Sequence, residues 1–339
     1  MPASTNILPL FSHIYVEETL FQAQWEKQTD ELLTRFPKAQ VVPIRDYSEL
    51  TQRRSSSWSD QKLSPKLVLA HKSSDLLYPC SDVAPNFGHE NFYYAVPMQN
   101  CLYDCEYCYL QGLYLSAHLV YFLNQQDMIK EAIELQKKIG PLYICIAYDN
   151  DVLALESIFG VAQQWITGLR DHPEITVEVR TKSANFKPLE KLAPCPNFIL
   201  AWTLSPQAVV SRFEAKTPSL QARLKAMKLA LEKGWKVRLC LDPLLPVKNW
   251  ESHYSELLEE IDSLQLWSEF QDASYGLFRM PKTILRQAKK ARPDSALLQS
   301  AVGKDERGLC TLVADDEKLA EFVGKYLVDK MGSEKVWRT

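Results

Sequence analysis

Residues 100–112 read NCLYDCEYCYLQG. Cys101, Cys105 and Cys108 stand in a Cys-x3-Cys-x2-Cys pattern, interleaved with Tyr103, Tyr107 and Tyr109. Three exposed thiols in one loop are an oxidation hazard unless they hold a metal. A structural zinc site closes on four ligands, usually supplied as closely spaced pairs. The nearest further donors, Cys80, His89 and His118, stand at no paired spacing, so zinc is a rival reading that lacks its fourth ligand. An iron–sulfur cluster normally takes one cysteine per iron. Three cysteines on a four-iron cluster leave one iron open to a substrate or cofactor.

Such a loop needs a scaffold, and the chain after residue 92 supplies one. NFYYAVP, PLYICIAY, ITVEVRT, NFILAWTL, WKVRLCLDP and ASYGLFRM read as strands. Between and after them DMIKEAIELQKKIG, LESIFGVAQQWITGLRDH, ANFKPLEKL, SLQARLKAMKLALEKG, WESHYSELLEEIDSL and TILRQAKKA read as helices. Alternating strands and helices give parallel strands with helices outside. The continuously apolar strands are those of a sheet covered on both faces. Six units fall short of the eight that close a full barrel. The expected fold is therefore α/β, a partial (β/α)6 TIM-type barrel over residues 91–294, with its chemistry at the carboxyl ends of the strands. The cysteine loop follows the first strand, where such folds place active-site loops.

Residues 1–90 read as a small N-terminal α/β unit and connector. SHIYVEE, QVVPI and KLVLAHK are strands, QAQWEKQTDELLTRF is an amphipathic helix, and the polar TQRRSSSWSDQKLSP is a mobile loop. Residues 295–339 form a C-terminal extension that packs on the barrel and carries the helix DEKLAEFVGKYLVDKM.

The chain has 339 residues, 46% of them hydrophobic, and a net charge of −3. That is enough for a sizeable core. It gives no global basic excess of the kind that marks sequence-independent nucleic-acid binding. No apolar run approaches a membrane span, and MPASTNILPLFSHIYVEE lacks the features of a signal peptide. A cytoplasmic setting is expected. The other cysteines, at 80, 145, 195, 240 and 310, read as small buried hydrophobes, with Cys80 in the loop-like YPCSDVAP the least clear case. The six histidines are dispersed. Trp202 and Trp235 read as packing residues. Asp149, Asn150 and Asp151 follow a strand at the catalytic end, where they serve either a ligand amino group or a helix cap.

The cysteine motif, with Tyr107 just before its last cysteine, resembles that of the radical S-adenosylmethionine superfamily. The resemblance implies a [4Fe–4S] cluster on Cys101, Cys105 and Cys108. The open iron of that cluster chelates the amino and carboxylate groups of S-adenosylmethionine. Reductive cleavage then yields a 5′-deoxyadenosyl radical. The (β/α)6 partial barrel is that superfamily's core.

A narrower resemblance, to the spore photoproduct lyase family, is carried by CEYCYLQ, VRTKSAN, RFEAKTPSLQARLKAMKLALEKGWKV and LCLDPLLPVKNWESHY. It runs over roughly residues 12 to 290. It implies a carbon–carbon lyase that reverses a thymine-dimer lesion of DNA, with the damaged bases lifted out of the stack, and an electron donor such as flavodoxin or ferredoxin. Carried over by position, Tyr107 lies against adenine, Lys182 and Thr203 contact S-adenosylmethionine, and Tyr109 belongs to the path that returns the hydrogen. Asn150, Asp151 and Asp242 complete the expected cofactor contacts.

One departure stands out. The family's hydrogen-donor cysteine lies in a stretch resembling ACTSDIVGID. Here the strand runs YICIAYDNDVLALE, which puts Tyr148 at the donor position. Cys145, three residues earlier, is expected to face the opposite side of the strand. Tyr148, with Tyr107 or Tyr109, is then the expected route of hydrogen return. DNA contact would fall to Arg279, Lys282, Arg286, Lys289, Lys290 and Arg292 on a basic helix spanning 279–292, which read otherwise is a solvated face. AVGKDERGLCTLV, with Lys304 and Arg307, stands where the family carries a lesion-probing hairpin. Two rivals remain: the same radical chemistry on a non-lesion substrate, and a non-catalytic iron–sulfur or zinc protein that binds nucleic acid.

Overall fold

The computed structural model describes residues 11–52, 57–81, 84–312 and 316–339. The first ten residues, the centre of the Ser-rich stretch, two residues of the connector after Cys80 and residues 313–315 lie outside the described residues.

Six strands stand parallel in chain order: Phe92–Ala95, Leu142–Cys145, Ile175–Thr181, Phe198–Thr203, Lys236–Leu244 and Asp272–Leu277. They are the six expected strands. Two more extend the sheet. Leu77–Pro79 runs antiparallel beside the first strand, and Val336–Arg338 runs parallel beside the sixth. The last is a strand that the sequence reading did not find. These two edges do not pair, so the barrel stays open.

Alternation along the strands separates two environments. Ile144, Val177, Val179, Leu200, Val237 and Leu239 are fully buried in the main apolar core. The opposite set is polar. Arg238 grips Asp272, its partner in the strand register, through Nε at 2.5 Å and Nη2 at 2.8 Å. Arg238 Nη1 also donates to Glu178 at 2.5 Å and to the Tyr143 hydroxyl at 2.6 Å. Burial opposes the charge on Glu178, but Arg180 and Arg238 hold its carboxyl down at about 2. Buried charges persist only when paired in this way.

Several helices depart from expectation. The helix expected over LESIFGVAQQWITGLRDH is two, Glu156–Phe159 and Val161–Leu169, parted at Gly160, whose φ is 60°. The Glu156 carboxylate accepts the Ala162 and Gln163 amides, each at 2.9 Å, and so caps the second helix. ANFKPLEKL makes only a short 3-10 turn, Lys187–Leu189, with Pro188 inside it. The polar stretch expected as a mobile loop contains a helix, Trp58–Leu63, that buries Trp58, Gln61 and Lys62.

The N-terminal strands His13–Glu17, Gln40–Ile44 and Leu67–Ala70 share one sheet with Leu119–Phe122 and Met98–Gln99. These last two strands flank the cysteine loop. The loop is thus an excursion from the N-terminal sheet, folded over the open end of the barrel. A smaller sheet forms from Arg279–Met280, Gly303–Lys304 and Cys310–Thr311. Among the described residues no helix is long and apolar enough to cross a membrane.

Candidate active site

A cavity of about 520 Å³ opens at the carboxyl ends of the barrel strands. Its wall includes Cys101, Cys105 and Cys108 from the loop, and Thr181, Lys182, Thr203, Asp242 and Leu277 from strand ends. Tyr107, Tyr109, Tyr148, Asn150 and Asp151 line it too. Every expected site residue therefore borders one space.

The loop is pinned from several sides. Its short strand Asp104–Cys105 pairs antiparallel with Glu214–Ala215. The Glu106 amide donates to the Phe213 carbonyl at 2.7 Å. Gln111 donates to the Glu106 carbonyl at 2.7 Å and accepts from Arg292 at 2.6 Å, while Arg292 also pairs with Asp104. Ser295 donates to Glu106 at 2.5 Å. Helix Lys282–Ala291 packs so closely that a Cβ on Gly112 would stand 2.2 Å from the Ile284 carbonyl oxygen. Gly112, the last residue of the motif stretch, lets this helix touch the loop. From below, Lys62 donates to the carbonyls of Cys101 and Tyr103.

Burial raises all three cysteine thiols, Cys101 to about 12. Lys62 favours the thiolate at Cys101 and Cys108, and Lys182 does so at Cys105 and Cys108. Among the described residues no three His, Cys, Asp or Glu side chains converge to hold a single ion. Zinc would need its ligand atoms within about 2.3 Å of one point. A multi-iron cluster accepts thiolates spread around its own body, and the cavity-lining cysteines fit that need better.

The tyrosines are held firmly. Tyr107 donates its hydroxyl to Glu214, which pairs with Arg223 at 2.5 Å and accepts from Ser205 at 3.0 Å. Burial opposes the Glu214 charge, but Lys182 and Arg223 hold its carboxyl below the usual range. Lys182 Nζ lies 5.4 Å from the centre of the Tyr107 ring. Tyr109 donates to the Tyr148 carbonyl at 2.6 Å and to Asp149 at 3.2 Å.

The helix-cap reading holds for Asp151. Its oxygens accept from Thr181 Oγ1 at 2.7 Å, the Lys182 amide at 2.7 Å and the Ala154 amide at 3.1 Å. It braces the strand end that carries Lys182. Asn150 differs. Its Nδ2 donates to the Met98 carbonyl at 2.9 Å, whereas its buried Oδ1 has no partner, and the residue lines the cavity. Such an acceptor suits a ligand's ammonium group.

Two wall residues, Arg180 and Cys80, and one residue behind the loop, Lys62, escaped the sequence reading in whole or part. Arg180 pairs with Glu178 at 3.1 Å and Asp242 at 3.7 Å, and its Nη2 is buried without a partner. A charged residue at an inward strand position was the available signal. Cys80 lines the cavity in one packed cluster with Tyr148, and burial raises its thiol to about 11. Lys62 lay in the segment read as a loop.

Cys145 corrects an expectation. The strand ends at Cys145 and the chain turns before Tyr148, so the two do not take opposite faces. Both join one cluster with Cys80, but Cys145 is fully buried below the cavity, 3.8 Å from Glu178.

The basic helix divides. Arg279, Lys289 and Arg292 bond to the Thr339, Ala301 and Gln111 groups of the scaffold, whereas Lys282, Arg286 and Lys290 are exposed. A hairpin does form over residues 303–311, and its Leu309 reaches the cavity wall.

The profile of the family described as SPL, spore photoproduct lyase, matches residues 88–305. A spore photoproduct lyase of Clostridium acetobutylicum is 24% identical over 175 residues, covering 49% of this chain and 51% of that protein. One from a Geobacillus species is 22% identical over 212 residues, covering 60% and 62%. The aligned part of the chain thus spans between half and two thirds of these curated relatives. Among solved structures, a spore photoproduct lyase complexed with dinucleoside spore photoproduct superposes with a TM-score of 0.79 at 16% identity, over 97% of this chain and 99% of that one. A mutant with bound AdoMet and the same dinucleoside gives 0.78 at 16%, over 97% and 98%. The structures share the fold, including its partial barrel, and the family profile covers well over half of the sequence: this chain belongs to the spore photoproduct lyase family.

Proposed function

We propose that this protein is a radical S-adenosylmethionine lyase that reverses a thymine-dimer lesion of the spore photoproduct type in DNA. The observation that carries this reading is the meeting, on one cavity, of the three loop cysteines and the tyrosines with the strand-end residues Lys182 and Thr203. Cys101, Cys105 and Cys108 would hold three irons of a [4Fe–4S] cluster. When bound and reduced, the cluster with S-adenosylmethionine supplies a 5′-deoxyadenosyl radical, the acceptor of the lesion's hydrogen. Asn150, with its unpartnered Oδ1, would receive the amino group of the cofactor, and Lys182, Thr203 and Asp242 at the strand ends would supply further contacts. The Tyr107 ring, fixed by Glu214, gives the adenine a flat wall.

Hydrogen return is where this chain departs from its family. The Cys80 thiol lies beside Tyr148 on the wall, and thiol S–H and phenol O–H bonds are close in strength. Cys80 would give a hydrogen atom to the carbon radical left by fragmentation, its sulfur radical would take one from the Tyr148 hydroxyl, and the tyrosyl radical would recover the hydrogen that the cofactor fragment took from the lesion. Tyr109, bonded to the Tyr148 carbonyl, fixes that segment. Lys282, Arg286 and Lys290 face the DNA phosphates, and the 303–311 hairpin approaches the lesion. A flavodoxin- or ferredoxin-type donor supplies the electron. The eight cysteines are all free thiols, as suits a reducing cytoplasm.

Anaerobic reconstitution tests the reading. The expected protein binds iron and sulfide and, once reduced, cleaves S-adenosylmethionine to 5′-deoxyadenosine. A protein that holds one zinc and no sulfide is the rival non-catalytic one.

A further inference from the structure

A buried ammonium lies under the cysteine loop with no carboxylate to meet it. Lys62 is 5% exposed. Its Nζ donates to the carbonyls of Cys101 at 2.5 Å and Tyr103 at 2.7 Å, and lies 5.6 Å from the centre of the Trp58 ring. Among the described residues no Asp or Glu forms an ion pair with it. Its charged neighbour is a second cation, Lys216, whose ammonium donates to the Lys62 carbonyl. Asp104, also in the loop, is taken by Arg292.

The buried arginines obey the usual rule. Arg223 meets Glu214, and Arg238 meets Glu178 and Asp272. Lys72, 7% exposed, shares the Lys62 pattern in part, with its Nζ donating to the Tyr78 hydroxyl at 2.9 Å, but it lies away from the cysteine loop carbonyls that Lys62 holds. A buried charge without an opposite charge is costly. Carbonyl dipoles and an aromatic face offset part of that cost, not a whole charge. The loop sulfurs become anions once they hold a cluster, and the positive charge of Lys62 favours the thiolate at Cys101 and Cys108. Three thiolates make a loaded site anionic, and a one-electron reduction makes it more so.

We infer that Lys62 is the scaffold's built-in counter-charge for the cluster held by Cys101, Cys105 and Cys108, and that it favours the reduced state of that cluster. This rests on the functional reading above, because it needs the cluster. Lys62 touches neither substrate nor cofactor and is a positioning residue acting through the loop carbonyls and through its field. A fixed cation near a redox centre stabilises the form with more negative charge.

Redox titration of the reconstituted full chain, followed by the electron paramagnetic resonance of the reduced cluster, tests this without reference to turnover. Lys62→Met should lower the ratio of reduced to oxidised cluster at a fixed solution potential by about tenfold, a shift of about 59 mV to more negative values for a one-electron couple. Lys62→Arg keeps the charge and should stay near the parent protein. A Lys62→Met protein that titrates like the parent overturns the inference. Where Lys62→Met takes up no cluster, iron and sulfide content decide. Loading by Lys62→Arg but not by Lys62→Gln supports a need for charge, and failure of Lys62→Arg as well shows that shape alone was required and overturns it. If the parent itself binds no iron and sulfide, the functional reading falls first and this inference with it.

Discussion

The hydroxyl of Tyr109, the residue after the last loop cysteine, donates to the backbone carbonyl of Tyr148 at 2.6 Å. In the sequence reading Tyr148 is the residue expected at the family's hydrogen-donor position. The bond joins the loop to the segment that follows the second barrel strand, and Cys80, a residue distant in sequence, stands in the same wall.

Replacing Cys80 by Ala should cut turnover of a spore photoproduct dinucleoside by about tenfold or more, with S-adenosylmethionine cleavage retained and abortive products accumulating. Tyr148→Phe should also diminish repair. Tyr148→Cys in the Cys80→Ala background puts a thiol at the family's position and should restore turnover. Product analysis by chromatography checks all three. Unchanged repair in both single variants rejects the route.

Asn150→Ala removes a buried, unpartnered acceptor from a residue of the cavity wall. The expected result is about tenfold weaker S-adenosylmethionine binding with the same iron and sulfide content. Equilibrium binding to the reconstituted protein measures it, and unaltered affinity would remove Asn150 from the cofactor site.

Gly112→Ala would drive a methyl group to 2.2 Å from the Ile284 carbonyl oxygen. Backbone cannot yield as a side-chain tip does, so the loop and helix Lys282–Ala291 must part. A loss of about 2 kcal/mol or more is expected, read as a lowered denaturant midpoint with less cluster retained. Wild-type stability in the variant would mean that the contact is loose.

Acid sensitivity should be traceable to His118. Burial, with Lys66 adding to it, holds its imidazole down at about 4, against an ordinary 6.5. The ring accepts the Lys66 amide at 3.3 Å, which needs a neutral nitrogen. The unfolded chain therefore binds this proton more tightly than the fold does. The stability owed to neutral His118 is complete above the unfolded value of 6.5 and is lost as pH falls through 4. His118→Gln stays neutral and should flatten the fall of the denaturant midpoint between pH 7 and 4. An equally steep fall in that variant would assign the effect elsewhere.

The barrel was legible in the sequence because its strands are short apolar runs separated by amphipathic helices, a local signal. The cavity was legible because motif residues and strand ends must meet at one end of such a barrel. What escaped depends on pairing across distance. The helix of Lys62 lies in a Ser-rich stretch whose polarity suggests solvent, and only packing against the cysteine loop buries it. Val336–Arg338 is three residues long and becomes a strand because the edge beside Asp272–Leu277 is free to receive it. The face of Cys145 was misread because strand alternation was extended past the point where the strand ends. The partners of Arg180 and Arg238 follow from strand register, which no single segment encodes.

The most direct test supplies the reconstituted, reduced protein with S-adenosylmethionine and a spore photoproduct dinucleoside, and follows the appearance of thymines. The account predicts that the lesion is converted to its two thymines, with Cys101→Ala abolishing both cluster and repair. A protein that cleaves S-adenosylmethionine yet leaves the lesion intact would contradict it and point to the same radical chemistry on a different substrate.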